Sequence, residues 1–398
     1  MKRFLLPSLL PLLLFSESAA SDISNREILE RLHQLEQKVE QLERENRELK
    51  ALLYKSKNYE VASRERTKKL QVEGRVLFRF SQAEDLDEGE KTVYGDSGNG
   101  FEVRKARVKF KGKLNDGFGY TIQLRADRGS NVELWDAYVN YMFDSVPLSV
   151  KAGMFKVPLS MSYLTSGTKL WFPDRPVAVR RVAPVWRDVG VAVTYAPLKN
   201  LKFTASVLNG EGWNNGKVYN KDKKYVYTFA VDAVPFDNDV YEWRIRAGYE
   251  TGFDESSKLV YKDYGANRVK RNLIDVETAL KVRPLGLAFK GGYLYDNPTD
   301  AKDKNGGSVS LGNAKGFYVQ GDYAVPFDRN FHLVGRYSWV DPNDDKDDSK
   351  DVDYTTLGFY YLLNGWQAAV RSSYVWANER HGKEVDNNLF VTEFQLLF

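Results

Sequence analysis

The chain has 398 residues, with 58 Lys and Arg against 54 Asp and Glu, three His and no Cys. Without cysteine, a disulfide framework and a thiolate metal site are both excluded, and a net charge of +4 on so long a chain leaves no electrostatic footprint for a nucleic-acid partner. A mean hydropathy of −0.50, with no apolar run approaching about 20 residues beyond the N-terminal region, excludes a bundle of membrane helices; a transmembrane β-barrel passes that test because half of each strand is polar.

Lys2 and Arg3, the apolar run from Phe4 to Phe15 and the small residues Ser18-Ala19-Ala20 read as a signal peptide over residues 1–20. The run is too short to span a bilayer and contains Pro7 and Pro11, so the mature chain is expected to leave the cytoplasm. From Asn25 to Leu53 a seven-residue period places Leu32, Val39, Asn46 and Leu53 at a, and Ile28, Leu35, Leu42 and Leu49 at d. The pairs Arg31 with Glu36, Lys38 with Glu43 and Glu45 with Lys50, from g to the following e, are opposite in sign. The spacing predicts a parallel, in-register coiled coil of about four heptads, roughly 40 Å long. Residues 21–68 are therefore expected to oligomerise through Leu32, Leu35, Val39, Leu42, Asn46 and Leu49, with Asn46 penalising slipped registers. The other reading is a single amphipathic helix packed on the next domain, which would make the three complementary pairs a coincidence.

From residue 69 to 398 the pattern changes to period 2. Leu70, Val72, Gly74, Val76, Phe78 and Phe80 alternate with Gln71, Glu73, Arg75, Leu77, Arg79 and Ser81, and the alternation recurs in about sixteen segments. Short turns such as Asn115-Asp116-Gly117, Ser145-Val146-Pro147 and Leu363-Asn364-Gly365 alternate with long polar loops near 82–100, 210–224, 253–269, 297–313, 341–351 and 377–387. A soluble sandwich has no reason to sort loops by length onto two ends, whereas a bacterial barrel has short periplasmic turns and long external loops. The expected fold is all-β: a sixteen-stranded antiparallel transmembrane β-barrel preceded by the short coiled coil. Phe390 to Phe398 alternate to a terminal Phe, an ending that resembles the last strand of outer-membrane barrels. An even strand count puts both ends on the short-turn side, and hence the coiled coil in the periplasm.

Which face meets lipid follows from charge. On the second strand Ala106, Val108, Phe110, Gly112 and Leu114 share one face, and Arg107, Lys109, Lys111 and Lys113 the other. A cation on lipid costs about 2 to 4 kcal/mol near the midplane, so four would cost on the order of 10 kcal/mol, and the basic row is assigned to the lumen. The same rule places Arg125, Lys151, Lys202, Arg244, Arg246, Lys281, Arg283, Lys290, Lys315, Arg336 and Arg371 inside, together with acids such as Asp127, Asp136, Asp322 and Glu393. A row of cations would hold mobile anions along a permeation path; the bland alternative is a wall neutralised by ion pairs, with weak selectivity. The connection 157–187 is too apolar for a loop in water, with Leu159, Met161, Leu164, Leu170, Trp171, Phe172, Val177, Val179, Val182, Val185 and Trp186 needing burial. Folding inward would bury them and carry Lys169, Arg175, Arg180, Arg181 and Arg187 into a constriction, where planar guanidinium groups suit phosphate or carboxylate oxygens. Alternatively, Arg175 with Asp174 and Arg187 with Asp188 are structural clasps.

Phe101-Glu102-Val103-Arg104-Lys105-Ala106-Arg107-Val108, Gly153-Met154-Phe155-Lys156-Val157-Pro158 and Arg187-Asp188-Val189-Gly190 together resemble the phosphate-selective porin O/P family over most of residues 70–398. The resemblance implies a homotrimeric outer-membrane channel for phosphate or other small inorganic anions, surrounded by lipid and lipopolysaccharide. Arg107, Lys109, Lys156, Arg175 and Arg187 are the positions it carries over to this chain. Of His33, His332 and His381, none has a partner in sequence that suggests a catalytic triad, so no enzymatic activity, cofactor or metal is expected. The rival function is structural: a tether that binds peptidoglycan through the coiled coil, with weak or no ion selectivity.

Overall fold

The structure is a computed structural model that describes residues 30–50, 70–84, 99–114, 117–129, 131–184, 187–212, 220, 223–254, 258–382, 384–385 and 387–398. The chain falls into two units, Met1–Lys68 and Lys69–Phe398. In the first, residues 30–50 form one helix, α1, a stretch free of Gly and Pro. Leu32, Leu35, Val39, Leu42 and Leu49 are 51% to 61% exposed along it, so the apolar stripe that was read as a coiled-coil seam is uncovered in the single chain. The signal peptide and the heptad positions Ile28 and Leu53 lie outside the described residues.

The second unit is built from strands β1 Gln71–Ala83, β2 Gly100–Lys113, β3 Phe118–Arg125, β4 Glu133–Met142, β5 Leu148–Lys156, β6 Arg187–Leu198, β7 Leu201–Leu208, β8 Val226–Asp237 and β9 Tyr241–Phe253. It continues with β10 Arg268–Val282, β11 Leu287–Asp296, β12 Asp300–Lys302, β13 Ala314–Ala324, β14 Phe331–Asp341, β15 Val352–Trp366, β16 Ala368–Glu379 and β17 Leu389–Leu397. Each pairs antiparallel with its neighbour, and β17 closes on β1 from Arg75 opposite Leu397 to Ala83 opposite Leu389. Both β11 and β12 pair with β10, so β12 continues the β11 lane beyond Pro298, whose missing N–H interrupts the ladder. Seventeen strands in sixteen lanes make a closed sixteen-stranded barrel.

Exposure along the strands is inverted relative to a protein folded in water. On β17, Phe390, Phe394 and Leu396 are 40%, 38% and 42% exposed while Glu393 and Gln395 are fully buried. On β10, Ile274 and Val276 face outward and Asp275 and Glu277 are buried. An apolar outer face with a polar inner one is what hydrocarbon around the barrel requires. One end carries the connections 114–117, 143–147, 199–200, 238–240, 283–286, 325–330 and 367; the other carries 84–99, 126–132, 157–186, 209–225, 254–267, 297–313, 342–351 and 380–388. The β3–β4 connection is the compact member of the long-loop end, turned by a 3-10 segment at Asp127–Gly129. Aromatic pairs ring the short-turn end, among them Phe118 with Tyr141 at 4.5 Å and Phe236 stacked on Trp243 at 5.9 Å between ring centroids.

The segment between β5 and β6 turns into the barrel. It holds two short helices, α2 Met161–Leu164, capped by Ser160 whose hydroxyl accepts from Tyr163 N, and α3 Val177–Val182. Val157, Leu159, Tyr163, Phe172, Val177, Val179 and Val182 are almost fully buried, and α3 packs on β13 and β14. The approach is close because position 316 is glycine: a Cβ there would lie 3.0 Å from Ala178 Cβ and 3.1 Å from Val182 Cγ2. Leu164, expected to be buried, is 36% exposed, since it lies on the side of α2 turned to open space; Val185 and Trp186 lie outside the described residues.

The wall holds this segment by its backbone. Arg246 donates to the carbonyls of Pro158 and Leu159, Arg271 to Val182, Arg336 to Asp174, and Arg371 to Gly167 and Leu170. Glu277 accepts from Ser160 Oγ at 2.9 Å and Ser162 N at 3.0 Å, and Gln395 donates to Thr168 O at 3.2 Å. The lumen assignment of Arg246, Arg336 and Arg371 agrees with their direction, but these guanidinium groups serve as moorings, because loop carbonyls buried without donors would each cost about 1 to 3 kcal/mol.

Candidate functional site

The inward segment covers the lumen face of β10 to β17 and leaves an open cavity of about 1540 Å³ against β1 to β9. Thirteen Lys or Arg and six Asp or Glu line it, an excess of seven positive charges. Among these are Arg107, Lys109, Arg125, Lys151, Lys156, Arg175, Arg180 and Arg187, which the sequence pointed to.

Their surroundings differ from the sequence expectation. Trp135, 4% exposed on β4, is a plate for three guanidinium groups: Arg125, Arg187 and Arg107 stand 3.6, 4.2 and 5.0 Å from its ring centroid. Each also holds a carboxylate. Arg107 pairs with Asp127, Arg125 Nε donates to Glu133 at 2.9 Å, and Arg187 meets Asp136 through two nitrogens at 2.8 and 3.1 Å. Arg187 is the first residue of β6 rather than part of the loop, and its clasp is Asp136 on β4, not Asp188, whose carboxylate accepts from Val189 N and Gly210 N. Arg175 likewise does not pair with Asp174; its Nε and Nη2 donate to Ser162 O and Thr165 O at 3.0 and 2.8 Å. Lys156 Nζ donates to Tyr163 O at 2.7 Å, so Arg175 staples the loop upon itself and Lys156 ties it to the end of β5.

Asp174 is instead the acid at the centre of a basic cage. Arg79 Nη2 donates to it at 2.6 Å, and Arg104 and Arg180 stand at 3.8 Å. Burial would raise this carboxyl, but Arg79, Arg180, Arg104 and Lys105 outweigh burial and hold it well below the ordinary carboxylate range.

Four expected residues are not brought to the cavity. Lys111 shares Glu73 with Lys109 beyond its edge, and Lys113 is exposed at the end of β2; alternation along a strand says nothing about depth. Lys169 is exposed, and Arg181 turns away to donate to Lys350 O at 3.3 Å. Among the other cations assigned to the lumen, Arg244, Lys281 and Arg283 gather around Glu242, and Lys315 meets Asp344. His332 does have a carboxylate partner, Asp322 at 2.9 Å, and stacks on Tyr360 at 4.2 Å.

Arg75, Arg104 and Lys105 were absent from the expected pathway. The β1–β2 register passes from Leu77 opposite Lys105 to Phe78 opposite Val103, leaving Arg104 as the extra residue of a bulge. The bulge turns two successive cations to the same cavity. Two adjacent basic residues, in a strand whose strict alternation would send one to lipid, are the signal in the sequence. A Cβ built on Gly167 would lie 3.5 Å from Arg75 Nη1 and 4.0 Å from Lys105 Nζ, so both cations converge on one bare stretch of the loop. Among the described residues Arg75, Lys105 and Lys151 have no ion-pair partner; Lys151 lies over the Tyr138 ring at 4.8 Å.

Residues 70–398 match the family described as phosphate-selective porin O and P. The chain belongs to that family. This porin also shares its fold with solved structures of low identity. OmpT of Vibrio cholerae in its trimer form is 13% identical, with 83% of this chain and 99% of that chain covered and a TM-score of 0.57. An anion-selective porin from Comamonas acidovorans is 11% identical over 83% and 99% of the two chains, with a TM-score of 0.55. The outer-membrane channel DcaP of Acinetobacter baumannii is 13% identical over 83% and 97%, with a TM-score of 0.55. No curated protein matches the chain. Family and fold make it an outer-membrane β-barrel of the porin class.

Proposed function

We propose that this porin is a water-filled channel for passive diffusion of small anions, phosphate among them. The observation that carries the reading is the excess of seven positive charges around the cavity, with Arg75, Lys105 and Lys151 lacking a counter-charge among the described residues. Paired cations such as Arg107 and Arg187 contribute little net field, whereas an unpaired cation in a low-dielectric bore draws an anion in place of the partner it lacks. Arg75 and Lys105 beside Gly167 form the step where a hydrated anion would pause, and the guanidinium groups around Trp135 shape the wall beyond it.

The channel works as a homotrimer with the long loops outside the cell and the short turns in the periplasm, the orientation that such barrels adopt. Support for the trimer comes from the uncovered apolar stripe of α1 and from the trimer form of the similar OmpT structure. In this reading residues 21–68 form a periplasmic coiled coil.

The test is the reversal potential of the purified protein in a planar bilayer under a potassium chloride gradient. The expected sign reports anion preference, and Arg75→Glu with Lys105→Glu lowers it without loss of the folded barrel. Cation preference of the unsubstituted protein would overturn the reading. Phosphate added to chloride is expected to reduce the chloride current if the pause site takes oxyanions. The tether reading draws on the same stripe of α1, and a folded protein that carries no current would favour it.

A further inference from the structure

At the long-loop end, the β14–β15 connection and the β16–β17 connection meet at Asp347, Asp351 and His381. The imidazole Nε2 of His381 stands 3.7 Å from Asp347 Oδ1 and 3.7 Å from Asp351 Oδ2, and one donor atom from each of the three residues lies within 4.8 Å of the others. These separations are too long for hydrogen bonds, which fall at about 2.7 to 3.2 Å. They are close to the separation of two ligands on one metal ion: bonds of about 2.0 to 2.2 Å at tetrahedral angles put neighbouring donor atoms roughly 3.4 Å apart.

An independent observation concerns Asp351. The residue is 4% exposed, and its Oδ1 is buried with no hydrogen-bond partner. Buried carboxylate oxygens are normally satisfied, and leaving one unmade is costly. The described cations around it are turned elsewhere. Arg380 Nε donates to Asp353 at 3.3 Å, and Lys350 lies 3.7 Å from Asp348 and 4.6 Å from the centre of the Tyr264 ring. Lys346 lies over the same ring at 5.4 Å. Asp351 thus presents a carboxylate to His381 and Asp347, and its other charged neighbours, Asp341 and Asp348, are acids as well.

The backbone holds the three donors in place. Arg380 N donates to Asp351 O at 2.7 Å, joining the two loops, and Asp351 N donates to Asp348 O at 3.1 Å. Gly382, in the left-handed region at φ 82°, turns the chain directly after His381. The Asp347 and His381 side chains are 85% and 44% exposed, so an ion can enter from the mouth and settle on the buried carboxylate.

We propose that Asp347, Asp351 and His381 form a binding site for a divalent transition-metal ion of the zinc type, which staples the β14–β15 loop to the β16–β17 loop. The imidazole sets the class, because a nitrogen donor suits zinc and its neighbours whereas calcium and magnesium prefer all-oxygen shells. Three protein ligands leave one coordination position for water. No sign of the site stands in the sequence, since the two aspartates and the histidine lie in different loops and follow no metal-ligand spacing.

The test is calorimetric titration of zinc chloride into chelator-treated full-length protein in detergent, with calcium chloride as the comparison. The expected result is one zinc per chain, and a loss of affinity of at least about tenfold in His381→Ala and in Asp351→Asn, since even residues supporting a metal ligand are worth that much. His33→Ala, in α1, should leave zinc uptake unchanged. His381→Ala changes a partly exposed loop residue, and retention of the heat-modifiable band on a gel confirms that its barrel is folded. Zinc uptake equal in His381→Ala and the unsubstituted protein would overturn the site, as would uptake lost through His33→Ala. Saturable binding of calcium with none of zinc would overturn the assigned metal class.

Discussion

At the scale of single residues, what distinguishes the cations of this barrel is the partner each one has. Arg187 meets Asp136 through two nitrogens and lies 4.2 Å from the Trp135 ring centre, a combination that an ammonium cannot reproduce. Arg187→Lys is therefore expected to lower stability by about 1 to 3 kcal/mol, read as a lower temperature of conversion from the folded to the unfolded gel band. Anion preference should change little, since the charge is kept and was already neutralised. The faces of strand cations such as Arg246, Arg336 and Arg371 were legible in the sequence, because a two-residue period leaves only two choices and lipid forbids one, whereas Arg104 and Lys105 at the bulge escape that rule. Partners were not: Arg79 meets Glu393, 314 positions away, and no local pattern states that distance. For the same reason Arg75 could be assigned a face on β1, but not its lack of an acid.

At the scale of elements, the inward segment was legible as an excess of apolar residues where a loop in water could not carry them. Its position was not, because most of the groups that hold it sit on strands β9 to β17, with Arg79 on β1, and come together only when the barrel closes. Asp174 links the two levels, tying the loop to β1 and β2 through Arg79 and Arg104. Its carboxyl is depressed below the ordinary value, so its contribution to docking is present in full above about pH 4, the unfolded value, and is lost as pH falls through the lower folded value. Single-channel conductance should accordingly stay steady from neutral pH down to about 4 and become noisy only in stronger acid. Asp174→Asn should show that noise already at neutral pH. A quiet trace from Asp174→Asn at neutral pH would mean that the arginine grips on the loop backbone suffice without the acid.

At the scale of the whole molecule, the barrel could be read from the chain because closure constrains every strand in the same way, and sixteen repeats of one period are hard to mistake. The break at Pro298, the bulge at Arg104 and the compact β3–β4 turn are local departures that a period cannot express. Helix α1 poses the complementary problem: Leu35 and Leu42, 61% and 56% exposed, declare that something covers them without showing what. If three chains cover one another there, Leu35→Asp with Leu42→Asp should abolish chemical crosslinking between the α1 segments of full-length protein while the barrel still gives its heat-modifiable band. Crosslinking that persists would assign the stripe to some other contact. Arg246, Arg271, Arg336 and Arg371 hold main-chain oxygens, and a carbonyl is the same whichever residue bears it. The side chains that the segment turns toward the bore can therefore be exchanged while its anchorage stays intact, so what passes through the channel can be retuned in evolution or by design without rebuilding the frame.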